Sequence, residues 1–400
     1  MHALNVTDRG HDFSPMHAAM QRYVDQDLLS GVASAVLVGR DLVDLNLVGW
    51  ADKERQEALR TDHIFRSYSD SKLITSCAVL LLWEEGRFDL DEPIDAFIPQ
   101  LAGRRVLRPG ATSLDDTEPA RSPITIRQLL THSSGLSYGL LDHGSMIFKA
   151  YRERGVLHPL RTLEGMMDAL ADLPLVFHPG TGFEYSVASD VLGRLVEVVS
   201  GQRFDEFLQA RIFGPLGMVD SGFVVPDDKR DRFTTFYVGA DLANPLKPGL
   251  TRKDDAPYPG AYTQGIPWQS GGGGLVSTLP DMVAFVRSLL PGGPTLLKPE
   301  TLDLMMRNHL PEGTWIRFPA FGEIRGKGFG LGGAVTLAPT PFDPPASTGE
   351  FQWGGLGGTH WWISPRHNLA AVVMTQRHLA FWHPYAFEFK QQVYQAVLTG

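Results

Sequence analysis

Ser69-Asp70-Ser71-Lys72-Leu73-Ile74-Thr75-Ser76-Cys77-Ala78-Val79-Leu80-Leu81-Leu82-Trp83 is the stretch on which the reading of this chain turns. Apolar residues fall on nearly every face of a 3.6-residue period, so residues 70–85 are predicted to form a helix buried on all sides, with Gly86 as its stop. Ser69 and Lys72 open it, and residues three apart share a helix face. The serine stands at the positive end of the helix dipole, beside backbone N–H groups that have no intrahelical acceptor, where an oxyanion would be stabilised. Lysine is almost never buried unless paired. Desolvation disfavours its ammonium form and lowers its pKa. The expectation is therefore a neutral Lys72 that acts as general base toward the Ser69 hydroxyl. The spacing alone carries little weight, because nine lysines supply about 0.6 Ser-x-x-Lys matches by chance. The apolar setting of the lysine is what singles it out.

Working outward, residues 15–28 read as an amphipathic helix, with Met16, Ala19, Met20, Tyr23 and Val24 on one face. Residues 33–38 and 42–48, joined at Gly39-Arg40-Asp41, read as a β-hairpin. Residues 94–180 are helical pieces between Pro/Gly loops, with a short helix at 125–130. Further helices are predicted at 186–200, 204–213 and 280–290, and residues 227–265 read as polar, Pro-rich and irregular. Residues 328–337, 360–363 and 369–376 look like strands, and 385–398 like a closing helix. Hairpin, helical middle, strands and terminal helix together predict an α/β (α+β) fold. Its antiparallel sheet is built from both chain ends and flanked by helices, with an all-helical region inserted between them.

Composition removes several classes of function. The chain has 400 residues, 43% hydrophobic and 20% charged, enough for one large domain or two ordinary ones and too apolar for a disordered chain. A net charge of −9 argues against nucleic acid as a partner. The apolar run 77–83 is far short of the roughly 20 residues needed to span a bilayer, so no membrane partner is expected. Residues 1–10 are polar, without an apolar signal core. The single cysteine, Cys77, excludes an internal disulfide and a CxxC metal site and fits an inert core thiol. The expectation is a cytoplasmic protein.

The resemblance that these segments carry is to the serine β-lactamase / penicillin-binding-protein superfamily, nearest its β-lactamase-like carboxylesterases (family VIII) and similar to class C β-lactamases. It runs through Phe65-Arg66-Ser67-Tyr68-Ser69-Asp70-Ser71-Lys72 and Gly86-Arg87-Phe88-Asp89-Leu90-Asp91-Glu92-Pro93. It continues in Ile124-Thr125-Ile126-Arg127-Gln128-Leu129-Leu130-Thr131-His132-Ser133-Ser134-Gly135-Leu136, in Pro179-Gly180-Thr181-Gly182-Phe183-Glu184-Tyr185-Ser186 and in residues 271–281. The resemblance implies a β-lactamase/transpeptidase-like fold, with a sheet domain from residues 1–67 and 230–400, a helical domain from 68–229, and the site in the cleft between them. It implies a catalytic Ser69 with Lys72, and Tyr185 of Tyr185-Ser186-Val187 in the place of the family's Tyr-x-Asn, sharing the proton work. It further implies that Trp353-Gly354-Gly355, on a strand edge, stands where the family has Lys-Thr-Gly, and that the Leu356 N–H pairs with that of Ser69 as the oxyanion hole. Trp353 cannot hold a lactam carboxylate as that lysine does, and Val187 cannot hold an amide as that asparagine does. Both departures favour neutral esters over anionic lactams.

On residue type alone Tyr185 fits a core tyrosine as well as a catalytic one, and Trp353-Gly354-Gly355 fits an ordinary turn. Gly135-Leu136-Ser137-Tyr138-Gly139 matches G-x-S-x-G but lacks the strand before and helix after that the motif requires, so Ser137 is not expected to be the nucleophile. Gly328-Phe329-Gly330-Leu331-Gly332-Gly333 leads into a strand and reads as a glycine-softened strand, without phosphate binding. Gly271-Gly272-Gly273-Gly274 suggests close backbone approach near the pocket. Of Trp268, Trp315, Trp361, Trp362 and Trp382, some are expected to line an apolar acyl pocket and the rest to fill the core. No H-E-x-x-H occurs, and neither metal nor cofactor is expected. The expected reaction is hydrolysis of a small-molecule carboxylic ester through an acyl-enzyme. Acyl transfer, β-lactam or D-amino-acid peptide hydrolysis, and a non-catalytic binding scaffold stand as alternatives.

Overall fold

The computed structural model describes residues 4–319 and 321–399, so the first three residues of the polar stretch 1–10 lie outside the described residues. Eight antiparallel strands form the main sheet: β1 (Gly31–Val38), β2 (Asp41–Asp52), β3 (Glu57–Ala58), β4 (Lys327–Phe329), β5 (Ala334–Thr336), β6 (Phe351–Gly354), β7 (Thr359–Ser364) and β8 (Leu369–Met374). Their spatial order is β4-β5-β6-β7-β8-β1-β2-β3. The predicted hairpin docks on β8, with Ala35 opposite Val372 on one side and Leu45 on the other. The two ends of the chain thus meet in mid-sheet.

Side-chain alternation sorts the layers. Val32 and Val36 of β1 join Leu369, Ala371 and Val373 of β8 on one face, while Ala33, Ala35 and Leu37 join Ala370, Val372 and Met374 on the other. Five helices position the rest: α1 (Ser14–Asp25), α2 (Ser71–Glu84), α3 (Ala188–Ser200), α4 (Leu279–Arg287) and α5 (Pro384–Leu398). α1 and α5 pack on each other and close the first face, α4 covers β8 and β1 on the second, and α2 packs against α3 in the helical half. In α2 every residue but Leu81, Trp83 and Glu84 is buried, as its unbroken apolar pattern requires. Each buried leucine-sized side chain contributes about 1.5–3 kcal/mol relative to exposure.

Several stretches differ from their reading. Residues 328–337 form a hairpin, β4–β5, with Lys327 opposite Thr336. The turn between them includes Gly332 at φ 111°, where a Cβ would stand 2.4 Å from Ser76 Oγ of α2. Glycine is there because the chain reverses against the helix. Residues 105–107 and 117–119 pair as a small hairpin, too short and too charged to show a two-residue period. Residues 227–265 hold the pair Tyr237–Gly239 and Leu250–Arg252 and bury Phe236, Tyr237 and Tyr262. The helix predicted over 204–213 continues throughout but widens to π pitch at Gln209–Phe213. Among the described residues no helix is long and apolar enough to cross a membrane.

Candidate active site

Ser69 lies in one 3-10 turn, Tyr68–Asp70, that runs directly into α2. The strand pair Ile64–Arg66 and Val276–Thr278 fixes the approach to it. The Ser67 N–H donates to the Leu275 carbonyl at 2.9 Å, and the Thr359 hydroxyl donates to the Ser67 carbonyl at 3.0 Å. Tyr68 then turns the backbone through φ 46°. That left-handed region costs a residue with a side chain about 1–3 kcal/mol, a strain stored beside the hydroxyl and held by the packing of Tyr68 on Phe236 and Tyr262.

Lys72 follows one turn later and is 1% exposed. Its Nζ donates to the Gly272 carbonyl at 2.5 Å and lies 3.3 Å from Ser69 Oγ. Tyr185 arrives from the loop before α3, 116 residues downstream, and its hydroxyl donates to Ser69 Oγ at 2.7 Å. Lys72 Nζ stands 4.6 Å from the centre of the Tyr185 ring. The three residues singled out in the sequence therefore surround one oxygen.

Several of their supports escaped the sequence reading. Buried His132 accepts the Ser186 N–H on Nδ1 at 3.2 Å, with its ring 4.9 Å from that of Tyr185. Burial, reinforced by nearby Lys72, holds its pKa well below the ordinary histidine range and keeps it a neutral acceptor. Tyr138 stacks on Tyr185 at 5.7 Å and 6°. Asp190, buried in the first turn of α3, accepts from Ser270 Oγ at 2.6 Å. Its other oxygen faces Lys72 across Gly272. A Cβ at position 272 would stand 2.9 Å from Asp190 Oδ2 and 3.4 Å from Lys72 Nζ, which is the close approach the glycine run announced. Burial raises the Asp190 pKa, and Ser270 and Lys72 oppose the rise. The available signal was an acid among the apolar residues of α3. Asp70, also buried, is pushed up to about 8 by burial, against the pull of Thr359 and Lys72.

Trp353 and Gly354 end β6. Strand β5 pairs with β6 only at Phe351 and Gln352, whereas β7 continues as far as Gly354 opposite His360. The expected strand edge is thus local: β6 is internal to the sheet and becomes an edge where β5 stops. A Cβ on Gly355 would meet the Ser67 carbonyl at 2.4 Å, so only glycine lets this strand end lie against the turn that carries Ser69. The Leu356 N–H has no backbone acceptor among the described residues. Ser69, Tyr185, Trp353, Gly354 and Leu356 open onto a cavity of about 890 Å³ with no Asp or Glu in its wall. Tyr138, Phe318 and Phe381 line it, as do Trp268 and Trp382 of the tryptophans singled out, together with Leu242, Tyr258 and Tyr262 from the 227–265 segment. Trp361 and Trp362 are buried in the sheet core. Ser137 is buried and donates to Glu184 at 3.2 Å, outside that cavity wall.

A family profile described as Beta-lactamase matches residues 16–387. Lovastatin esterase of Penicillium rubens is 36% identical over 333 residues, covering 78% of this chain and 79% of its own length. Esterase EstB of Burkholderia gladioli is 30% identical over 390 residues, covering 93% of each. The solved structure of EstCE1, described as a hydrolase with promiscuous acyltransferase activity, superimposes with a TM-score of 0.80 at 25% identity, covering 96% of this chain and 98% of its own.

Proposed function

The chain belongs to the Beta-lactamase family and is a carboxylesterase-type serine hydrolase; from that premise we propose that it cleaves neutral, apolar carboxylic esters through an acyl-enzyme on Ser69. Ser69 Oγ attacks the ester carbonyl while Lys72 and Tyr185 take its proton. The N–H groups of Ser69 and Leu356 receive the oxyanion, and loss of one such donor costs about 10²–10³-fold in kcat. The relayed proton passes to the departing alcohol. Water, deprotonated by the same pair, then attacks the acyl carbonyl and releases the acid, restoring Ser69. The observation that carries this reading is the convergence of Tyr185 Oη and Lys72 Nζ on Ser69 Oγ at 2.7 and 3.3 Å. Trp353 and Val187, both buried, put an indole and an alkyl group where the family has a lysine and an asparagine, and Arg152 is the one Lys or Arg among the described residues lining the cavity.

The test is a p-nitrophenyl ester series from short to long acyl chains beside a chromogenic cephalosporin, with fluorophosphonate labelling of Ser69. Ester turnover with stoichiometric labelling and slow cephalosporin turnover is expected. Absence of labelling, or faster turnover of the cephalosporin than of every ester, overturns the reading. Acyl transfer is a second reading, favoured by a cavity of about 890 Å³ that has room for an acceptor alcohol beside the acyl group. Added alcohol then diverts the product from acid to ester.

A further inference from the structure

The Trp353 side chain does more than exclude charge. Its indole Nε1–H donates to Tyr185 Oη at 3.4 Å, the same oxygen that donates to Ser69 Oγ. Trp353 is 5% exposed. Its ring is clamped by Phe329 at 5.2 Å, Phe381 at 5.5 Å and Tyr185 itself at 5.4 Å. An indole N–H is a donor only and needs an acceptor when buried. Those of Trp361 and Trp362 are buried without one among the described residues, so burial alone does not give a tryptophan N–H such a partner.

We infer that Trp353 is a positioning residue of the proton relay: its N–H orients the Tyr185 hydroxyl on Ser69 and stabilises the negative charge that builds on Oη when that proton is transferred. The inference rests on the acyl-enzyme reading. The relay is balanced without it: Tyr185 Oη–H breaks as its proton goes to the departing alkoxide, and Oη recovers a proton from the Ser69–Lys72 side. Trp353 keeps its own proton throughout. Its effect is on the charge carried between those events. A neutral donor here does from the strand side what a cation could do by charge, without attracting an anionic substrate.

The test replaces Trp353 with L-β-(3-benzothienyl)alanine, whose ring keeps the indole shape and carries sulfur in place of N–H, alongside Trp353→Phe. For one neutral alkyl ester, both should lower kcat about 10-fold and leave KM within about twofold, as expected for losing a hydrogen bond to developing charge. An aryl ester with a good leaving group should lose less, because its departure needs less proton donation. In ¹⁵N-tryptophan-labelled protein, Tyr185→Phe should shift the Trp353 indole resonance. An unchanged kcat in the benzothienyl protein, a loss confined to KM, or an indole resonance indifferent to Tyr185→Phe overturns the inference. Ser69→Ala in the same assay tests the acyl-enzyme reading separately: if it retains full turnover, that reading has failed whatever Trp353 does.

Discussion

Two parts of the molecule bury lysine in opposite ways. Under the sheet, Lys327 meets Asp343 and Thr336, each at 2.7 Å, and Lys390 meets Glu350 at 2.5 Å, with Tyr394 closing on the other oxygen of that carboxylate at 2.9 Å. These charges are matched directly, as burial demands. Beside the cavity, Lys72 is just as deeply buried, yet among the described residues no carboxylate comes within 4.0 Å of its Nζ. Its contacts are a backbone carbonyl and a hydroxyl, and Asp190 stands back across Gly272. A paired lysine joins strands and helices. A lysine held short of pairing instead presents its amine to a hydroxyl, which is the arrangement the proposed mechanism uses.

Substitution can break this contrast at several points. The largest effect is expected from Ser69→Ala, a loss of about 10⁴-fold or more in kcat for a p-nitrophenyl ester, with Ser137→Ala near wild type. Lys72→Met should cost about 10³-fold or more in kcat while leaving the fold intact by thermal melting. Lys327→Met should do the reverse. It strands Asp343 and destabilises by about 3–5 kcal/mol on chemical denaturation, with kcat per folded molecule unchanged. A loss of activity without loss of stability in Lys327→Met would dissolve the distinction between the two sites.

A smaller effect concerns Asp70. Its folded pKa, pushed up to about 8 by burial, lies above the ordinary carboxylate value of 3.8, so the folded state binds the extra proton between those values. The stability it contributes is present at low pH and is lost as pH rises through about 8. Melting temperatures of wild type and Asp70→Asn should therefore separate progressively from pH 5 to pH 8.5, with the asparagine variant the flatter. Parallel curves would mean the carboxyl is not held protonated. The smallest effect is on specificity. Trp353→Lys should raise cephalosporin turnover relative to a neutral ester about 10-fold, the scale of one charge-assisted hydrogen bond, and an unchanged ratio would show that the indole does not set the preference.

Much of this was legible along the chain. The helix of residues 71–84 declared itself because apolar residues on every face admit no other environment, and Ser69 and Lys72 lie three residues apart, where helical geometry alone makes them neighbours. Strands β1, β2, β7 and β8 show as apolar runs and alternation bounded by turns. Residues 328–337 misled because glycines in a strand and glycines in a turn look alike until the helix they turn against is known. Tyr185 and Trp353 were identified by resemblance to a family, since nothing periodic marks either one.

What the chain order determined by itself was local: which segment is buried, which hydroxyl sits at a helix start, and which amine shares its face. Only tertiary packing decided that a phenol 116 residues away closes on that hydroxyl. Packing also decided that an acid on α3 faces the amine across a glycine and that a strand loses its neighbour just where an indole must reach the phenol. The physical reason is that contacts within one helical turn follow from backbone geometry. Contacts across the fold depend on where sheets end and loops close, and those boundaries are set by the sum of all the packing.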